Sequence, residues 1–229
     1  MPPETARRAK ILFLNYPNNP TGAVASLDFL RRAVGFCRRH GILLVHDLAY
    51  AEMTYDGYVA PSVLQVEGAR ECSLEFYSLS KPYNMTGWRI AFCAGNAAAV
   101  SALAKVKSSL DSSQFGAIQA AGVAALKTTP PDFLPSMNRM YSSRRNLMCD
   151  GLNRLGLECR RPLGTFYLWP SVPAGQTSVG FAERLLTGAG VVLSPGSAFG
   201  GYGEGYVRIA LTVPEDRLRV ALDRMAKAV

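Results

Sequence analysis

Residues 11–14, Ile-Leu-Phe-Leu, form a short apolar run that breaks off into Asn-Tyr-Pro-Asn-Asn-Pro-Thr-Gly at 15–22, a segment built almost wholly of turn formers. Ser26 then reads as a helix N-cap, and Leu30, Ala33, Val34 and Cys37 recur at i, i+3, i+4 and i+7 until Gly41 stops the pattern. The next run, residues 42–45, is a fully apolar strand. Strand, loop, helix and strand within about 35 residues make a βαβ unit, which demands parallel strands joined by a right-handed crossover. A chain that opens this way is committed to a layered α/β fold, in which ligands bind at the carboxyl ends of the strands.

Polar residues stand at three such ends. Residues 15–19 end the first strand, His46 and Asp47 end the second, and Ser78-Leu79-Ser80-Lys81 follows a third strand-like run at 73–77. Lys81 sits among hydroxyls, with Arg89 eight positions beyond it. A lysine partly desolvated in such a turn can offer its amine to an aldehyde as a Schiff base. Ser78 and Arg89 can bind a phosphate on the aldehyde's carrier, the arginine through a charge-assisted fork. Taken alone, the same residues equally describe an ordinary surface lysine in a turn.

The layered pattern continues with a strand at 88–94 and helices around 97–110 and 115–127, then breaks at Thr128-Thr129-Pro130-Pro131. Beyond the break come a long helix at 133–155, strand-like runs at 157–159 and 166–172, a helix at 180–187, strands at 191–193 and 206–211, and an amphipathic helix from near Pro214. The expected organisation is a large α/β domain, present in part, at 1–130 and a small α+β domain at 131–229, joined by the long helix. The glycine-rich stretch at 194–203 lacks the Gly-Lys-Ser/Thr ending of a phosphate loop and reads as a flexible turn near the site.

Composition removes several function classes. No apolar run approaches the roughly 18–20 residues needed to span a bilayer, and residues 1–10 are polar and basic without the apolar core of a secretory signal. Cys37, Cys72, Cys93, Cys149 and Cys159 are irregularly spaced, with only His40 and His46 as possible co-ligands, which argues against a zinc site or a disulfide framework. A reducing, cytoplasmic setting fits that usage, with no metal and no membrane. The net charge of +8 is spread over Arg7, Arg8 and Lys10, over Arg31, Arg32, Arg38 and Arg39, and over Arg144, Arg145 and Arg154. These read as solvated helix faces, without the interleaved aromatics of a nucleic-acid surface.

Taken in order, Asn19-Pro20-Thr21-Gly22, then Asp47 with Ala49 and Tyr50, then Ser78, Ser80 and Lys81 with Arg89 beyond, then Arg208 on a late strand, resemble the class I/II aminotransferases. These are the aspartate-aminotransferase-like enzymes of fold type I, which use pyridoxal 5'-phosphate. The resemblance spans nearly the whole chain. It implies part of the large domain, with its mixed, mainly parallel sheet, followed by a smaller carboxyl-terminal α+β domain. It also implies that Lys81 forms the Schiff base with the cofactor and then shuttles a proton between the substrate Cα and the cofactor C4'. Asp47 would keep the pyridine nitrogen protonated so that the ring accepts electrons. Asn19 and Tyr50 would donate to the cofactor's 3'-oxygen, Ser78 and Arg89 would hold its phosphate, and Arg208, together with Asn19, would face the substrate, the arginine forking onto the α-carboxylate. Read without the family, Asn19 is a turn residue, Tyr50 a packed ring, Asp47 a cap and Arg208 a surface arginine.

Within the family, residues 15–22, 46–50 and 83–89, with Asp56-Gly57-Tyr58, Pro61-Ser62 and Gly68-Ala69, are most similar to the LL-diaminopimelate type. That type moves an amino group between glutamate and tetrahydrodipicolinate on the route to lysine. The partners implied are a small amino acid, a 2-oxo acid and, for a full-length member, a second copy in a homodimer. The resemblance starts inside the family's chain, after the amino-terminal arm, the phosphate-binding glycine/serine turn and the ring that stacks on the cofactor. Only part of a pocket is therefore expected, with uncovered sheet edges that imply poor solubility or a compensating partner. Other transaminases (aspartate, alanine, aromatic) and carbon-sulfur β-lyases share the motifs. An inactive fragment and a non-catalytic ligand-sensing module are the readings from other classes.

Overall fold

The computed structural model of the protein describes residues 2–229. It divides into two compact units, one formed by the chain up to Pro17 with Val24–Leu134, the other by Asn18–Ala23 with Pro135–Val229.

In the first unit, α1 (Pro3–Arg8) precedes β1 (Ile11–Asn15), and α2 (Leu27–His40) carries the chain back to β2 (Leu43–Asp47). A 3-10 turn at Val63–Gln65 and the single turn α3 (Ala69–Cys72) lead into β3 (Ser73–Ser78) and β4 (Ala91–Gly95), after which come α4 (Ala97–Leu110) and α5 (Gly116–Thr128). The sheet order is β1-β2-β3-β4, with β1, β2 and β3 parallel and β4 antiparallel to β3. The expected βαβ unit is thus present.

The crossover helix α2 forms where its signals place it. Ser26 accepts a hydrogen bond from the Phe29 amide at 3.1 Å, and Gly41 closes the helix in the left-handed region, φ 64°, with its amide on the Cys37 carbonyl. Asp28 lies in the first turn and Arg38, Arg39 and His40 in the last, which suits the helix dipole. Leu30, Val34 and Cys37 point inward onto Ile42, Leu44, Val63 and Ala69, forming the core on one face of the sheet.

Elsewhere in this unit the sheet is open. Ile11 and Phe13 on β1 are 57% and 63% exposed, and Phe92 on β4 is 48% exposed. No residue of α4 is buried, and α5 buries only Gly122, against Ile90 and Leu79. Strands of parallel sheets are ordinarily covered on both faces, so apolar side chains here meet water.

The second unit holds α6 (Phe133–Arg154) almost entirely, then β5 (Tyr167–Leu168), α7 (Ser178–Ala189), β6 (Ser194–Pro195), β7 (Val207–Ala210) and α8 (Glu215–Met225). β7 is the middle strand of an antiparallel sheet ordered β5-β7-β6. Arg145 of α6 is 1% exposed, and its guanidinium is consumed by the Pro162 carbonyl at 2.9 Å, Asn146 Oδ1 and Ser142 Oγ. α6 and α8 approach closely at Gly151, where a Cβ would lie 2.5 Å from Leu222 Cδ1.

Several expected strands are shorter or absent. Residues 157–159 form no strand, because Asn153 takes both backbone groups of Cys159: its Oδ1 accepts from the amide and its Nδ2 donates to the carbonyl, each at 3.0 Å. The strand expected at 88–94 starts at Ala91, since Thr86–Trp88 is a 3-10 turn and Arg89 is left-handed at φ 52°. The run at 166–172 is a strand at Tyr167–Leu168 and, past Pro170, continues as a bridge from Ser171 to Tyr206. Strand pairing expected at 191–193 falls instead on Ser194–Pro195. The glycine-rich stretch is two 3-10 turns, Gly196–Phe199 and Gly201–Gly203, rather than a loose turn. A Cβ on Gly196 would sit 2.0 Å from the Gly203 carbonyl oxygen, so these backbones touch directly.

Among the described residues, no helix is long and apolar enough to cross a membrane, and no group of three or more His, Cys, Asp or Glu could hold a metal ion. The five cysteines are free thiols.

Two outcomes follow for stability and solubility. Leu30→Ala should cost about 2–5 kcal/mol and Gly196→Ala about 1–3 kcal/mol or more, read from urea unfolding, the second because a carbonyl cannot move aside as a side chain can. Replacing Phe13 and Phe92 by lysine should lower light scattering and dye binding of the purified chain; unchanged scattering would show that these faces do not drive association.

Candidate functional site

In the first unit the parallel ladder sets Asn15 beside Asp47 and Asp47 beside Phe76. The carboxyl ends of three strands therefore share one edge. Asn15 Nδ2 donates to the Asp47 carbonyl at 2.9 Å, and the Leu48 amide carries the β2–β3 pairing one step further, to the Phe76 carbonyl. The chain then turns through Leu48, Ala49 and Tyr50, with the Ala51 and Met53 amides returning to the Leu48 and Tyr50 carbonyls.

This turn folds an amide onto the half-buried carboxyl of Asp47. Burial pushes that carboxyl above the ordinary range, while the Ala49 amide and the charge on His46 pull in the opposite direction. A buried carboxylate in that balance is stabilised by any cation placed against it. Tyr50 is buried, and the Lys81 ammonium lies 6.0 Å from the centre of its ring, a cation–π distance.

Ser78 is the last residue of β3, and its hydroxyl accepts from the Ser80 amide at 3.2 Å, tightening the turn that presents Lys81. Thr86 Oγ1 donates to the Ser80 carbonyl at 3.1 Å, which ties the following loop back onto that turn. Arg89 is exposed at the end of the loop, its Nη1 donating to the Thr86 carbonyl at 3.1 Å and its own carbonyl accepting from Gln114 Nε2. Asp47, Tyr50 and Lys81 thus gather at the strand edge, with Ser78 at the base of the lysine turn, whereas Arg89 is anchored to its own loop.

The second unit contributes a different chemistry. Arg208 Nη1 donates to Asn19 Oδ1 at 2.9 Å, and Nη2 lies 3.4 Å from Ser194 Oγ. The guanidinium carbon is 4.4 Å from the centre of the Tyr167 ring and 4.7 Å from that of Phe199, so aromatic rings pack against it. Among the described residues, Arg208 Nε is buried without a hydrogen-bond partner. A buried guanidinium edge with an unanswered donor is suited to a carboxylate ligand.

Asn19 is placed by its loop. Asn18 Oδ1 accepts from the Thr21 amide at 3.1 Å and from Thr21 Oγ1 at 2.6 Å, and Gly22 at φ 70° packs where a Cβ would strike Pro162. The peptide bonds before Pro17 and Pro20 are cis. Sequence reasoning missed Tyr167, Phe199 and Ser194 as the holders of Arg208. The aromatic spacing of Tyr167 and Trp169 was the available signal, but it does not indicate which ring faces the arginine.

The residues present fit the cofactor that the family uses. A ring nitrogen that carries a proton matches the half-buried Asp47 carboxyl, an aldehyde matches the amine of Lys81, and a phosphate matches the hydroxyl of Ser78 with the exposed guanidinium of Arg89.

Comparison with known proteins gives the family of the chain. The family described as Aminotransferase class I and II matches residues 2–225. LL-diaminopimelate aminotransferase of Desulforudis audaxviator (strain MP104C) is 55% identical over 225 residues, 98% of this chain and 57% of that protein. The enzyme of the same name from Moorella thermoacetica is 50% identical over 229 residues, 100% of this chain and 58% of its own. Among solved structures, the probable N-succinyldiaminopimelate aminotransferase of Thermus thermophilus superposes with a TM-score of 0.95 at 41% identity, covering 100% of this chain and 61% of that one. The chain therefore spans a little under three fifths of the length of these two curated relatives, 57–58%. The protein belongs to the class I and II aminotransferases, built on the fold type I scaffold.

Proposed function

We propose that the chain carries the lysine-bearing part of a pyridoxal phosphate-dependent aminotransferase. It moves an amino group between an amino acid and a 2-oxo acid, of the LL-diaminopimelate/glutamate type that serves lysine biosynthesis. The observation that carries this reading is the gathering of Asp47, Tyr50 and Lys81 at one strand edge, with Ser78 at the foot of the lysine turn. The substrate class rests on relatives of that name at 50% and 55% identity. On the same reading, residues 1–130 are part of the large domain and 131–229 are the small domain. The complete enzyme is a cytoplasmic homodimer.

When bound, pyridoxal phosphate supplies an aldehyde carbon for amino transfer and a ring that withdraws electrons. Lys81 Nζ would hold it through its aldehyde carbon and, once released, would serve as the base that carries the substrate's Cα proton. Asp47 would keep the ring nitrogen protonated, and Tyr50 and Asn19 would each donate to the 3'-oxygen. Ser78 and Arg89 would hold the phosphate, and Arg208 would orient the substrate through its α-carboxylate. Packing of Tyr167 and Phe199 against Arg208 reduces the water around the guanidinium and would strengthen that contact.

The purified chain with pyridoxal phosphate should show a visible band of the lysine-bound cofactor and form glutamate from LL-diaminopimelate and 2-oxoglutarate. A chain that shows neither is an inactive fragment, and pyruvate with ammonia, formed without a keto-acid acceptor, would mark a lyase. Lys81→Ala should abolish the band and lower transfer by about 10²–10⁴-fold or more. Arg208→Gln should raise the KM for the amino acid about 10–100-fold, the loss of a charge-assisted bond. Because burial raises the proton affinity of Asp47, cofactor retention should weaken as pH falls, starting at a higher pH than an ordinary carboxylate would give; Asp47→Asn should remove that dependence.

A further inference from the structure

Cys149 and Cys159 face each other inside the second unit, with Sγ atoms 3.3 Å apart and exposures of 0% and 5%. Cys149 lies near the end of α6, and Cys159 follows the turn that leaves that helix. The turn is pinned by the Leu155 amide on the Gly151 carbonyl at 3.2 Å and by the Leu157 amide on the Leu152 carbonyl at 3.0 Å. Asn153 holds both backbone groups of Cys159, and Arg161 pairs with Asp150 at 2.5 Å on the outer side. The sulfurs are therefore brought together by the backbone around them.

A buried thiol packs as a small hydrophobe, so neither cysteine alone calls for a role in chemistry. Their separation does. A disulfide bond is about 2.05 Å long, so a relative movement of about 1.3 Å would join sulfurs that stand 3.3 Å apart. The hydrogen bond between the thiols holds Cys149 below its ordinary range, against the opposing effect of burial, and holds its partner Cys159 above. Loss of the first proton from the pair is eased by that contact, and the thiolate is the reactive form.

We propose that Cys149 and Cys159 are a redox modification site, a dithiol that hydrogen peroxide closes to a disulfide and that a thiol reductant reopens. In the first step the thiolate sulfur attacks one peroxide oxygen and the O–O bond breaks. That sulfur becomes a sulfenic acid, and the other oxygen leaves as hydroxide and takes up a proton. The second sulfur then attacks the first, the S–O bond breaks, and the hydroxyl leaves as water with the second thiol's proton. Two electrons pass from the sulfurs to the peroxide, which ends as two waters. With Cys159 only 5% exposed the oxidant has to be small, and hydrogen peroxide meets that condition. Because the second sulfur is within reach, oxidation stops at a reversible stage, short of sulfinic acid.

The purified chain, reduced and then treated with hydrogen peroxide in the absence of denaturant, is alkylated in urea and mapped by mass spectrometry. A cross-linked peptide pair joining Cys149 to Cys159 should appear, with Cys37, Cys72 and Cys93 outside it, and dithiothreitol should restore both thiols. Links formed equally among the other cysteines would overturn the proposal, as would sulfinic acid at one member of the pair while the other stays a thiol. In Cys149→Ser and Cys159→Ser the remaining sulfur has no partner, so in at least one of them peroxide should carry it to a product that dithiothreitol does not restore. Full recovery of the thiol in both variants would remove the protective role of pairing. Mapping of the parent chain decides the disulfide itself without requiring either variant to fold.

Discussion

The parallel pairing of β1, β2 and β3 is the constraint on which the rest of the first unit depends. Parallel strands force the chain to return to the same side before each new strand begins, so each strand ends where its neighbours end. The register Asn15, Asp47, Phe76 turns that rule into a position, and the Asn15 side chain fastens it to the Asp47 carbonyl. A slip of one residue on β2 would exchange the faces of His46 and Asp47, sending the carboxyl toward the α2 core and the imidazole away from Glu75. The buried His46–Glu75 hydrogen bond therefore also opposes misregister, because a slipped strand would leave buried polar groups unpaired.

In the second unit, a sheet too short to be stable by its own ladder is held by side chains. β5 and β6 have two residues each. Ser178 accepts from the Gly205 and Tyr206 amides, and its own amide donates to Glu204, so the start of α7 is bound to the segment leading into β7. Gly196 and Gly203 let two backbones meet where any side chain would hold them apart. These local ties place Arg208 on a strand that has few partners to align it.

What was legible in the sequence follows the range of the physics involved. The α2 crossover could be read because its cap, its periodicity and its Gly41 stop are all local, and local signals survive without knowledge of the fold. The strand ends bearing Asp47 and Lys81 were legible for the same reason. Residues 157–159 misled because the Asn153 side chain, several positions away, satisfies the backbone that a strand would have used. The setting of Arg208 was hidden entirely, since Asn19 and Arg208 are 189 positions apart and the rings beside the guanidinium come from β5 and from the 3-10 turn at Gly196–Phe199.

Packing by Tyr167 and Phe199 has a geometric consequence for Arg208. A guanidinium is flat, and a ring set against it hinders approach from the side that the ring covers, which favours a ligand arriving along an uncovered edge. Nη1 is already engaged by Asn19 and Nη2 lies near Ser194 Oγ, which leaves the buried Nε as the donor without a partner among the described residues. Such a slot discriminates by shape as well as by charge. A planar, two-oxygen anion can lie along it with both oxygens answered, whereas a spherical halide of the same charge satisfies one donor and strands the other.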